Sequence, residues 1–98
     1  MQIKDLKDGM KGKEVDVMGV IIEAQDPREV TIKATGEKRK VQHFTLKDAS
    51  GSITLVLWEA DCDLVKKDSI VAIQNGMVTQ WNGNLQLNKG KFGKMTIQ

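Results

Sequence analysis

Apolar residues along this chain recur at every second position in short runs, and the runs are separated by turn residues. That period is the signature of half-buried β-strands, whose successive side chains point to opposite faces. Phe44 and Leu46 share one face of a run over 41–48, while His43, Thr45 and Lys47 share the other. Ile53, Leu55 and Leu57 form a second apolar face, with Thr54, Val56 and Trp58 directed oppositely. Val15 and Val17 open an earlier run, which shifts phase after Gly19 to Val20 and Ile22. A glycine at such a shift predicts a bulge or sharp bend. Asp26-Pro27 interrupts this segment, and Val30 and Ile32 extend it. Val71, Ile73 and Val78 form a fourth run, Leu85 and Leu87 a fifth, and Met95 with Ile97 closes the chain.

The punctuation between runs is equally readable. Thr35-Gly36-Glu37 and Asp48-Ala49-Ser50-Gly51 join the first three strands. Asn82-Gly83 predicts a two-residue hairpin, because a type I′ turn needs positive φ at both central residues. Asn75-Gly76 carries the same dipeptide and reads either as a second hairpin or as a bulge in one long strand. The only helical spacing falls in Glu59–Lys67, where acids crowd the start and Lys66-Lys67 the end, as the helix dipole favours. Five long strands with a short helix between strands 3 and 4 predict an all-β, five-stranded OB-fold, a Greek-key barrel. Another small barrel or a sandwich is the alternative.

With 98 residues, the chain has room for one core. The longest apolar run, 17–22, falls far short of the roughly 20 residues a membrane span requires, so no membrane association is expected. No secretory signal is visible at the start. One cysteine, Cys62, allows neither an internal disulfide nor a cysteine zinc site, and it is expected to pack as a small apolar residue. Together these point to an intracellular protein of the cytoplasm or nucleoid. No catalytic motif is present: there is no phosphate loop, GxSxG or HExxH, and no Cys/His pair placed for catalysis. An enzyme is not expected, nor is a cofactor or a metal.

Several segments resemble, in order, OB domains of the archaeal replication protein A and single-stranded-DNA-binding protein family. They are Ile3-Lys4-Asp5-Leu6-Lys7-Asp8-Gly9-Met10, Pro27-Arg28-Glu29-Val30, the run Asp48 to Trp58, Ile70 to Gly76, Trp81 to Asn88, and Gly90 to Lys94. The resemblance implies that Asn75-Gly76 is a bulge within a long fourth strand. It departs at Lys67-Asp68, where many relatives place Gly before the Asp, and at Met77, where they often carry an aromatic. It further implies binding of single-stranded DNA in replication, repair or recombination, within one OB domain of a longer multi-domain protein. Other OB domains or replication proteins are the implied partners. A structural, protein-contacting OB domain and a single-stranded RNA binder are the alternatives.

Sequence-tolerant binding of single strands needs flat side chains for bases and cations for phosphates. Trp58 lies out of phase with the core face of its strand, and the other place open to it is a cap over the barrel end. Trp81 precedes the Asn82-Gly83 hairpin tip, where there is little core to enter. Met77 and Thr79 alternate on the same face as Trp81; Gln86 and Asn88 alternate opposite Leu85 and Leu87. Thr45 and His43 face outward from the second strand. The formal charge is only +2, but it is unevenly spread. Residues 27–40 hold five basic residues (Arg28, Lys33, Lys38, Arg39, Lys40) against two acidic, and residues 74–98 hold Lys89, Lys91 and Lys94 against none. These segments would flank an OB cleft from both sides. Phe44 is assigned to the core, and Phe92 receives no role.

Overall fold

A computed structural model describes residues 2–10, 15–89 and 93–98. Its strands are β1 (Val17–Ala24), β2 (Arg28–Thr31), β3 (Lys38–Asp48), β4 (Gly51–Trp58), β5 (Ile70–Gln74), β6 (Met77–Trp81), β7 (Asn84–Asn88) and β8 (Lys94–Ile97). The neighbour order is β6-β7-β4-β3-β1-β5-β8, with β2 also paired to β3. Every ladder is antiparallel except β4 with β7. Strands β5 and β6 lie far apart in that order, yet only Asn75 and Gly76 separate them in the chain. Chain continuity at this point therefore closes the curled sheet into an OB barrel.

Among the described residues the structure shows eight strands where five were expected. The barrel strands are retained, and the difference has local causes. The break before Arg28 separates β2 from β1, and β8 adds a rung outside β5. Asn75, with φ +60°, divides the fourth strand into β5 and β6. These two halves do not pair with each other, so Asn75-Gly76 is not a hairpin. The amide of Gly76 donates to the Val15 carbonyl at 3.1 Å instead of to a partner in the β7 ladder.

Two local expectations change. The expected helix over Glu59–Lys67 is a six-residue 3-10 turn, Glu59–Leu64. So short a segment gains too few hydrogen bonds to offset helix nucleation. Val65 is extended and buried, which returns the chain to the barrel. In β1, the inward phase continues through Val15, Val17, Gly19 and Ile21 without a shift, and Val20 and Ile22 are exposed. The register irregularity lies between Ile21 and Glu23. Gly19 serves close approach: a Cβ there would lie 2.5 Å from the Lys47 carbonyl oxygen.

The core comprises the inward faces already named. Phe44, Leu46, Leu55, Leu57, Ile73 and Leu87 are fully enclosed. Ile3 and Leu6 close one end of the barrel. Cys62 is buried, and its thiol donates to the Leu57 carbonyl at 3.3 Å. Asp48 organises the β3–β4 turn. Its carboxylate accepts from the Ser50 hydroxyl and from the amides of Ile3, Ser50 and Gly51. These donors, the Ser50 hydroxyl foremost, lower its pKa to about 2.

Candidate nucleic-acid interface

The outward face of β3, β4, β7 and β6 is a ladder-fixed grid. Paired residues in neighbouring strands point to the same side. Thr45 pairs with Thr54, Thr54 with Gln86, and Gln86 with Thr79, which makes one row across four strands. The next row is His43, Val56, Asn88 and Met77. Beyond the first row, Trp81 pairs with Asn84 across the hairpin tip. That tip has φ +51° at Asn82 and +80° at Gly83, as a type I′ turn demands. In the opposite direction β4 ends at Trp58.

Both indoles are exposed, Trp58 to 41% and Trp81 to 62%. Strand rise and spacing place them roughly 20 Å apart along the face, so they cannot clasp one base between them. A groove of about 780 Å³ occupies the Trp81 end. Its floor is formed by β3, β4 and β7; Gln25 and Arg28 wall one side, and Gly83 and Asn84 the other. A smaller concavity of about 290 Å³ lies at the Trp58 end, with Met77, Asn88 and Lys89. Trp58 also borders a hollow under the β2–β3 hairpin with Ile32 and Arg39. It thus faces open space instead of capping the core.

The expected side chains divide into three groups. Arg28, Thr45, Trp81 and Gln86 line the larger groove. Trp58, Met77, Asn88 and Lys89 line the smaller one. Thr79 lies on the same face and accepts a hydrogen bond from the Asn88 side-chain amide at 3.0 Å. Lys33, Lys38, Arg39 and Lys40 line neither concavity. Lys33 is in the β2–β3 turn, and the other three lie in β3 itself, not in a loop. Lys91 and Phe92 fall outside the described residues.

The cations are less available than their sequence positions suggest. Lys38 pairs with Glu29, Arg39 with Glu37 and Glu59, Lys40 with Asp63, and Lys89 with Asp61. All three acids of the Glu59–Leu64 turn thus hold a base. Among the described residues, Arg28 makes no such ion pair, and it borders the groove directly. Arg28 and burial together hold the His43 imidazole below its ordinary pKa, with burial the larger cause. Thr54 was missed as a candidate, although the alternation of β4 places it on the same outward face as Trp58.

A model of the replication protein A OB domain matches residues 3–98. The chain belongs to that family. The curated single-stranded DNA binding protein Ssb of Saccharolobus solfataricus is 28% identical over 94 residues. That alignment covers 96% of this chain and 61% of the relative, so the chain spans about three-fifths of its length. Among solved structures, the second OB-fold domain of replication protein A from Methanococcus maripaludis is 26% identical. It superposes with a TM-score of 0.79 over 99% of this chain and 92% of that one. The OB domain of a Thermoplasma acidophilum protein, 21% identical, reaches 0.84 over 100% of this chain and 85% of that one, which concerns the fold alone. The family match sets the chain among replication protein A OB domains and not among enzymes. Among the described residues, no helix is long and apolar enough to cross a membrane.

Proposed function

We propose that this domain binds single-stranded DNA along the outward face of β3, β4, β6 and β7. The observation that carries the reading is the placement of both tryptophans. They are exposed on one face, Trp81 at a polar groove and Trp58 at a smaller concavity further along it, and neither is used by the core. Each indole stacks one base, and Arg28 meets the backbone at the groove wall. Kinship with a protein named for binding single-stranded DNA supports the same reading.

Stacking supplies roughly 1–3 kcal/mol per base. Two rings therefore give about 2–6 kcal/mol, against about 8 for micromolar affinity. Phosphate contacts must supply the remainder. About four of them give a log–log salt slope near −3 on single strands. Most of the expected cations must first exchange a carboxylate for a phosphate, so binding by this domain alone is weak to moderate. Other OB domains in the same protein or assembly would raise affinity through effective concentration. We place the domain in replication, repair or recombination on the same basis.

Titration of the protein at micromolar concentration with oligo-dT at low salt tests the proposal. Quenching of tryptophan emission is expected, and unchanged emission refutes it. Competition with an RNA oligomer of the same sequence separates DNA from RNA preference. A second reading, a protein-contacting domain, draws on the opposite side of the barrel. There Met18, Val20 and Ile70 are exposed, and Val20 pairs with Ile70.

A further inference from the structure

At Thr45, Thr54 and Gln86 the floor of the larger groove is neither aromatic nor charged. Thr45, Thr54 and Gln86 meet in one row across β3, β4 and β7, with His43 one row further. All four are half-buried. Among the described residues, none of their side chains donates to or accepts from another protein group. Their neighbours differ: the Asn88 amide and the Thr79 hydroxyl satisfy each other. The unused hydrogen-bonding capacity is thus concentrated between the two indoles, at Thr45, Thr54 and Gln86.

A phosphate track calls for cations, and a stacking platform calls for flat rings. Hydroxyls and a carboxamide suit neither. Each offers both a donor and an acceptor, which complements the edge of an unstacked base. These groups also stand on paired strands instead of on a loop, so their spacing is held by the ladder, as selective hydrogen bonding requires. We propose that this floor reads base edges, so that affinity for single strands of equal length depends on the base held over Thr54 and Gln86. The inference rests on the reading of the face as a single-strand site. It adds a base-selective part to the sequence-tolerant stacking at Trp58 and Trp81.

The test compares oligo-dT, oligo-dC and oligo-dA of one length at one salt concentration, by fluorescence anisotropy of labelled strands. A well-made bidentate contact discriminates between bases by roughly 5- to 150-fold. The wild-type domain is expected to separate its strongest and weakest homopolymer by at least about tenfold on that scale. Thr54→Val combined with Gln86→Leu keeps the bulk and removes the hydrogen bonds. This variant should compress the spread to below about threefold, whereas Trp81→Ala should weaken all three strands by a common factor. Gln86→Glu, which keeps the shape and removes the amide donor, should change the order of preference; it decides the matter if the double variant does not fold. Homopolymers bound within threefold of one another, variants that weaken every strand equally, or an unchanged order in Gln86→Glu overturn the inference. Those outcomes leave the single-strand reading standing. Failure of every oligomer to bind the wild-type domain overturns both.

Discussion

Replacing Trp81 with alanine separates a binding role from a packing role. The ring is 62% exposed and flanks the Asn82-Gly83 turn opposite Asn84. A fully enclosed aromatic side chain buries roughly 150–250 Å², so the covered part of Trp81 is at most about 95 Å². At about 25 cal/mol per Å², its loss costs the fold no more than about 2.4 kcal/mol, an upper bound because unfolded chains are partly compact. Domains of this kind have roughly 5–15 kcal/mol of stability, so the variant remains folded. Binding responds more sharply. Loss of one stacking platform removes roughly 1–3 kcal/mol, a 5- to 150-fold rise in Kd for oligo-dT. Anisotropy of a labelled strand measures the affinity, and a urea titration of the free variant measures stability. Unchanged affinity, or a variant that is unfolded in buffer, refutes the reasoning.

Four further outcomes follow from the same geometry. Trp58→Ala and Trp81→Ala should add within about 0.5 kcal/mol in a double-mutant cycle, because groups this far apart do not couple; a larger interaction energy contradicts independent stacking. Exchanging Glu59, Asp61 and Asp63 for their amides frees Lys40 and Lys89 and leaves Arg39 paired with Glu37 alone. Low-salt affinity should then rise and the salt slope steepen by about 1.4, as expected for two additional phosphate contacts on single strands; a fall in affinity would mean that the acids orient the cations. Gly19→Ala forces a Cβ against the Lys47 carbonyl and should cost about 1–3 kcal/mol by denaturant unfolding, the usual range for overpacking. Asp48 has its pKa lowered to about 2, so its contribution is complete above pH 4 and is lost as pH falls toward 2. Thermal melts across that window should show a decline that Asp48→Asn lacks.

The strands and hairpins were legible because their signals are local. Alternation in β3 and β4 named the core residues Phe44, Leu46, Leu55 and Leu57, and Asn82-Gly83 announced its turn without outside help. Alternation likewise put Gln86 and Asn88 on the outward face. What the pattern could not supply was long-range. Lys40 meets Asp63 at a separation of 23 residues and Lys89 meets Asp61 at 28. Two basic segments flanking a cleft therefore looked freer than they are. Gly19 misled for a related reason: the carbonyl it accommodates belongs to β3, and nothing in β1 marks that approach. The acid-to-base order of Glu59–Lys67 suited a helix dipole, but the extended, buried Val65 ends the turn early.

The proposed single-strand site occupies one face of the barrel. Amide chemical-shift changes on adding oligo-dT to the isotopically labelled domain test that directly. They are expected to cluster at Arg28, His43, Thr54, Trp58, Trp81, Gln86 and Asn88, with the indole resonances of both tryptophans moving. Shifts confined to the β1–β5 side, around Met18, Val20 and Ile70, or no shifts at low salt, would contradict it.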